Sequence, residues 1–209
     1  DELESKFNFF ISLFFRVIHY LNKNSQRNSK RNISAHYDLS NNFFKLFLDE
    51  TMMYSSAIFK TKNQTLKAAS LNKLDIICQK LNLKPTDHVV EIGSGWGGFA
   101  IFAAENYGCK VTTTTISQQQ FSYTRDLINK KKLGGKITLL YEDYRNLEGK
   151  YDKLVSIEMI EAVGHHYYHE YFKKINTLLK PDGIALIQAI TIRDQRYSKA
   201  LQNVDFIQK

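Results

Sequence analysis

The residues most suited to chemistry lie between Val89 and Gly98, V-V-E-I-G-S-G-W-G-G. Four glycines, Gly93, Gly95, Gly97 and Gly98, directly follow an apolar run from His88 to Ile92, and a helix-like stretch from Phe99 to Tyr107 comes next. A buried strand that passes through a glycine turn into a helix N-terminus is how α/β proteins hold an adenosine-type cofactor. Glycine permits the positive φ of such a turn and lets the backbone approach a ligand closely. G-x-G-x-G alone is a weak signature; Glu91 ahead of it and a β-α series behind it strengthen it. The spacing favours S-adenosyl-L-methionine, which has no phosphate to cradle, over a dinucleotide. No second acid stands where a dinucleotide ribose would need one.

Other reactive side chains are more ambiguous. Glu158 and Glu161, three apart after a strand, could face one side of a turn, with a structural cap as the bland reading for Glu158. His165, His166 and His169 would suit a metal, yet they sit at a loop-to-helix junction with no fourth ligand, so no metal site is expected. Lys130 to Lys132 read as a solvated helix end, favourable to the dipole.

A chain of 209 residues with 43% hydrophobic content is long and apolar enough for one domain, or one domain with an appendage. Lys and Arg number 29 against 21 acids, a net +8, which suits an anionic partner such as nucleic acid or an acidic lipid surface. Cys78 and Cys109 lack motif spacing, which argues against a disulfide framework and for a reducing compartment. No apolar run reaches the roughly 18–20 residues that span a bilayer. The first residue is Asp1, which reads as a processed chain or a piece of a longer one.

The chain that must position the glycine loop divides into three segments. Residues 1–33 hold an apolar stretch, Phe7 to Leu21, with Asn8, Ser12, Arg16 and His19 as a narrow polar stripe, then a basic segment with Lys23, Arg27, Lys30 and Arg31. That is the composition of an interfacial membrane anchor, or of a helix that packs on the domain or on a second copy. Residues 34–84 read as a helical cap over the active site. Ser40 begins a helix through Leu48, Met52 to Phe59 form a loop over a pocket, and Thr65 to Leu81 form a helix ended by Pro85. Residues 85–209 read as the cofactor-binding core. Further strands are expected at Lys110–Ile116, Lys136–Glu142, Tyr151–Glu158 and, after a Pro181-Asp182-Gly183 turn, Ile184–Thr191. Helices are expected from Ser117 to Lys132 and from Tyr167 to Leu179, with a sixth beyond. This alternation predicts a mostly parallel sheet with helices on both faces.

Longer motifs carry more. They are H-Y-D-L-S-x-x-F-F-x-L-F-L-D from His36, M-Y-S-S-A from Met53, E-I-G-S-G-W-G-G from Glu91 and T-T-I-S-Q-Q-Q from Thr114. E-D-Y-R from Glu142 and S-I-E-M-I-E-A-V-G-H from Ser156 complete the series. In this order they resemble the cyclopropane-fatty-acyl-phospholipid synthase family, which includes the mycolic acid cyclopropane synthases. The resemblance implies a Rossmann-like class I methyltransferase fold. It also implies methyl transfer from S-adenosyl-L-methionine to the cis double bond of a lipid acyl chain at a membrane surface. Loss of a proton then closes a cyclopropane ring, with bound bicarbonate taking the proton. Two further strands are usual beyond the fifth. Without them Ile184 to Ile187 would be an open edge, which more chain or a second copy is expected to cover.

Position by position, the resemblance puts Tyr54 and Ser55 at the border of the cofactor. It wraps Glu91, Gly93, Ser94, Gly95, Trp96 and Gly97 around the methionine and ribose, adds Thr115, Ser117 and Gln120, and sets Asp143 and Tyr144 beside the adenine. The second strand lacks the usual ribose-binding acid, and Gln120 stands in for it. The anion site would comprise Glu161, the backbone of Ile190, Ser56 where well-known members have cysteine, and Gln188 where they have histidine. A tyrosine that completes it in the family falls beyond Lys209. Neither Ser56 nor Gln188 is a titratable imidazole, so a methylated or methylene-bearing product remains open beside the ring. A carbocation needs a dry aromatic pocket, for which Tyr54, Trp96, Tyr167 and Tyr168 are candidates, with the core as their bland alternative. The alternatives in function are a methyltransferase for another acceptor and an inactive cofactor- or lipid-binding fragment. A nucleic-acid methyltransferase would use the charge, but no N-P-P-Y string is present and the basic residues are scattered.

Overall fold

The computed structural model describes residues 40–202, with side chains to 198. The amphipathic stretch Phe7–Leu21, the basic segment after it and the motif beginning at His36 therefore lie outside the described residues up to Ser40. In chain order the elements are α1 (Asn41–Phe44), α2 (Leu66–Lys80), β1 (His88–Ile92), α3 (Gly98–Asn106), β2 (Lys110–Thr115) and α4 (Gln118–Lys130). Then come β3 (Ile137–Tyr141), β4 (Tyr151–Ile157), α5 (Tyr168–Leu178), β5 (Leu179–Gln188) and α6 (Asp194–Gln202). Single 3-10 turns stand at Tyr144–Asn146, Ile160–Ala162 and His165–Tyr167.

The five strands form one sheet in the order β3-β2-β1-β4-β5, and every neighbouring pair is parallel. A central strand in such a sheet is covered on both faces, which is why Val89 to Ile92 are buried without alternation. On one face Leu74, Ile77 and Leu81 of α2 and its C-cap join Phe99, Ala100 and Ala103 of α3 in the same core as Val89, Val111 and Val155. On the other, Tyr171, Ile175 and Leu178 of α5 pack with Val90, Ile92 and Leu154. The chain leaves β1 for β2 and β3 on one side and returns to β4 and β5 on the other. The carboxyl end of β1 is thus the point where the winding reverses, the usual ligand crevice of open α/β sheets.

Local chemistry sets several boundaries. Thr65 caps α2 by accepting from the Ala68 N–H at 3.2 Å, and Ser117 caps α4 by accepting from Gln120 N–H at 3.3 Å. Pro85 does not end α2. Asn82 does, in the left-handed conformation at φ 49°, while Leu83 N–H turns back to Cys78 O at 3.1 Å. The expected Ser40–Leu48 helix is regular only over Asn41–Phe44, and the Ser40 side chain makes no cap bond. One turn cannot support itself; its aromatic side chains are held by contacts with Tyr54 and Trp96 instead.

β5 also differs from expectation. It starts at Leu179, not after the Pro181-Asp182-Gly183 segment. The pairing with β4 jumps from Tyr151–Leu179 to Lys153–Ile184, so those three residues form an irregularity inside the strand. Proline is tolerated there because it owes the ladder no N–H. The strand stops at Gln188 instead of Thr191, since the Ile190 N–H is taken by the Glu161 carboxylate at 2.6 Å. Among the described residues β5 has β4 on one side and no strand on the other, with Ile184 well exposed.

Gly97 is a position where glycine is required. Its φ is 85°, and an added Cβ would stand 2.7 Å from Thr124 Cγ2 in α4. Gly97→Ala is expected to lower stability by about 1–3 kcal/mol, measured as a shift in the denaturation midpoint with an unchanged slope; an unchanged midpoint would show that the loop is not strained there.

Candidate active site

The glycine loop is fastened to the end of β2. Gly93 and Ser94 N–H groups both donate to Thr114 O, at 3.2 and 2.8 Å, and Gly97 N–H closes back on Ser94 O at 2.8 Å. Gly95, at φ 49°, has nothing within 4 Å of where a Cβ would stand. The loop backbone therefore faces open space at its centre, room that a ligand could use.

β2 carries four consecutive threonines, all buried, and each hydroxyl meets a polar partner. Thr112 meets the His88 ring at 2.8 Å, Thr113 donates to Glu91 Oε2 at 2.6 Å, and Thr114 donates to Glu142 O. Thr115 donates to Gln120 Oε1 at 2.8 Å and accepts from Ser117 N–H at 3.1 Å. Thr115, Ser117 and Gln120 are thus one hydrogen-bonded unit, and the Gln120 amide oxygen is used while its NH2 remains for a ligand. Glu91 points into the sheet interior. Burial pushes its carboxyl up to about 8, against the opposing hydrogen bond from Thr113.

After β3, Asp143 caps the turn that follows, accepting from Arg145 N–H at 3.0 Å and pairing with the Arg145 guanidinium at 3.4 Å. Tyr144 is buried edge-on to Tyr171, ring centroids 5.6 Å apart, with the Arg145 guanidinium 5.2 Å from its own centroid. Both stand at the same strand-end edge as the glycine loop, since Glu142 N–H bonds Thr115 O at 3.1 Å.

An aromatic wall rises beside the loop. Buried Trp96 donates from Nε1 to Asn41 Oδ1 at 2.8 Å, and its ring lies 4.7 Å from Phe44. Phe44 meets Tyr54 at 5.5 Å, and Phe43 and Phe47 extend the cluster. Tyr54 is about half exposed at the outer side. The next residue, Ser55, is held by a lysine that sequence reading did not single out. Lys73 of α2 is fully buried, and its ammonium reaches Ser55 O at 3.2 Å and Ser55 Oγ at 2.5 Å. Burial pushes Lys73 down to about 8, opposed by the charges of Glu158 and Asp49.

The four residues assigned to the anion site fall into two groups. Ser56 N–H and Gln188 Nε2 both donate to Oε1 of Glu158, at 3.1 and 2.7 Å. Glu161, exposed, accepts from Ile190 N–H at 2.6 Å. Glu158 is therefore not a bland cap: it joins segments 102 and 30 residues away in sequence, at the unusual φ of 48°. Tyr167 and Tyr168 are partly buried on the α5 side of the sheet, in the second core rather than the aromatic wall. His165 and His166 rings lie 3.8 Å apart, and the described residues contain no group of three metal-binding side chains. Cys78 and Cys109 are free and buried.

This arrangement has relatives. The family model for mycolic acid cyclopropane synthetase matches residues 24–209. The chain belongs to this family. It is similar to the cyclopropane-fatty-acyl-phospholipid synthase of Escherichia coli, 41% identical over 155 residues, 74% of this chain and 39% of that protein. It is 38% identical over 192 residues to the tuberculostearic acid methyltransferase of Mycobacterium tuberculosis, 88% of this chain and 45% of the relative. A solved mycolic acid cyclopropane synthase with SAH and CTAB superposes with TM-score 0.73 at 34% identity, over 76% of this chain and 55% of that one. The chain spans less than half the length of these curated relatives.

Within the cyclopropane synthase family frame, Lys73 and Glu158 are what local pattern could not reveal, because each acts through a contact distant in sequence. Lys73→Met should cost about 1–3 kcal/mol, the range for losing hydrogen bonds to a charged group, and should weaken binding of S-adenosyl-L-methionine in calorimetry by freeing the Tyr54–Ser56 segment. Unchanged stability would contradict the assigned role. For Glu91 the folded value near 8 lies above the ordinary 4.5, so the folded chain binds the extra proton and stability falls as pH rises through that window. Glu91→Gln should remove this slope, about 1 kcal/mol per pH unit, so that thermal melts of variant and parent diverge in the variant's favour from pH 5 to pH 8; parallel curves would refute it.

Proposed function

We propose that this protein transfers a methyl group from S-adenosyl-L-methionine to the cis double bond of an unsaturated phospholipid acyl chain, giving a cyclopropane or methylated fatty acid. The observation that carries the reading is the junction at Trp96. One residue of the cofactor loop is built into an aromatic wall of Phe44, Phe43, Phe47 and Tyr54. An apolar acceptor is thereby brought against a loop suited to a cationic donor, and aromatic faces favour the positive charge that methylation of an alkene creates.

The residues present fit the donor. The open backbone at Gly95 and the free amide NH2 of Gln120 suit its amino-acid and ribose parts, with Asp143 and Tyr144 for the base. Bound there, it would supply an electrophilic methyl. The chain's own part is to exclude water with Trp96 and the Phe44 cluster, and to hold Tyr54 and Ser55 in place through Lys73. Relatives include both a cyclopropane-fatty-acyl-phospholipid synthase and a tuberculostearic acid methyltransferase by name. Ser56 and Gln188, without an imidazole between them, keep the methylated product beside the ring as a second reading.

The basic balance of +8 supports action at an anionic membrane surface, and no helix of the described residues is long and apolar enough to cross a membrane. Incubation of the full-length protein with labelled S-adenosyl-L-methionine and vesicles of cis-monounsaturated anionic phospholipid should give acyl chains heavier by one CH2 unit. Loss of the double bond would mark ring closure, and its retention methylation or methylene formation. Label appearing only on headgroups or on water-soluble acceptors would overturn the lipid-chain assignment.

A further inference from the structure

Bicarbonate, implied by the family resemblance, does not fit the residues that would hold it. Its donors would be the N–H groups around Ser56, Gln188 and Ile190. All three are already engaged by this chain's own carboxylates. Glu158 Oε1 takes Ser56 N–H and Gln188 Nε2, and Glu161 Oε1 takes Ile190 N–H. A further anion would have to displace a carboxylate from every donor that it took. The donors present an acid site that is filled from within.

We propose that Glu158 is the proton acceptor of the reaction, a carboxylate built into the anion site that makes an external base unnecessary. This rests on the methyl-transfer reading above. Three observations converge on it. Glu158 follows the last residue of β4, at the edge where β1 ends in the glycine loop. Its Oε1 is held from two sides, by the segment that carries Tyr54 and by the end of β5. It also stands at φ 48°, a region that side chains seldom occupy, and such strain collects where function requires a fixed geometry. Two hydrogen bonds on one oxygen leave Oε2 as the acceptor and fix its direction.

The step balances. The methyl carbon bonds to one alkene carbon as its bond to sulfur breaks, leaving the thioether and a positive charge on the neighbouring carbon of the acyl chain. Glu158 removes a proton from the added carbon, whose C–H electron pair closes onto the cationic carbon as the third side of the ring. Glu158, now a neutral carboxylic acid, returns the proton to water when the product leaves.

The test uses the full-length enzyme in buffer stripped of carbon dioxide, with S-adenosyl-L-methionine and cis-monounsaturated phospholipid vesicles. The wild type should turn over at the same rate with and without added bicarbonate. Glu158→Gln should lose about 100-fold or more in kcat while cofactor affinity in calorimetry stays unchanged. Glu158→Gly, which relieves the backbone and leaves space, should be equally slow and regain turnover with added formate or bicarbonate, a rescue that a merely structural role would not show. A wild type that requires bicarbonate, a Glu158→Gln variant with normal kcat, or a cofactor-binding Glu158→Gly variant that no anion rescues would each overturn the proposal. If the wild type modifies no lipid at all, the methyl-transfer reading itself fails, which is a distinguishable result.

Discussion

A parallel sheet ends all its strands on one edge, and there the ladder stops supplying partners to polar groups. Most of this molecule's specific chemistry follows from how that edge is satisfied. At β1 and β2, Thr114 O accepts the Gly93 and Ser94 N–H groups and Thr115 Oγ1 accepts Ser117 N–H. At β4 and β5, Glu158 N–H still bonds Gln188 O, and the Glu161 carboxylate accepts Ile190 N–H beyond it. Backbone and side-chain groups replace the missing ladder, and in doing so they fix the glycine loop on one side and a pair of carboxylates on the other.

The energetic weight is uneven across this edge. Exposed ion pairs such as Lys67–Glu50 and Arg125–Asp126 are worth about 0–1 kcal/mol. The buried groups matter more, because a buried polar atom that loses its partner costs about 1–3 kcal/mol. Lys73 is the clearest case: a fully buried ammonium whose contacts go to the serine beside Tyr54. It holds the aromatic loop against the sheet end from below, while Glu158 holds it through Ser56. The wall and the acid cluster therefore meet in one segment, Tyr54–Ser56, which carries a contact to each.

Much of this was legible in the sequence. β1 spans the predicted His88–Ile92, Thr65 and Ser117 cap as their types suggest, and the glycine loop lies where a strand-turn-helix pattern puts it. Periodicity and capping are local, so local reading finds them. What escaped depends on distance in sequence. Phe47 read as helix, but the regular helix stops at Phe44, and Phe47 packs against Tyr54 beyond it. Pro181 read as a turn, yet pairing with β4 draws Leu179 and Lys180 into the strand. Glu158 read as a cap beside the more familiar Glu161, because nothing within three residues shows that it meets Ser56.

The two proposals place a methyl-donor loop and an internal proton acceptor on one strand-end edge. Their most direct test is a crystal structure of the full-length enzyme with S-adenosylhomocysteine, grown in bicarbonate. The ligand should lie along Gly93–Gly97 and Gln120, with Glu158 Oε1 still bonded to Ser56 N–H and Gln188 Nε2 and no bicarbonate beside it. Bicarbonate seated on Ser56, Gln188 and Ile190, with the Glu158 side chain swung away, would contradict it.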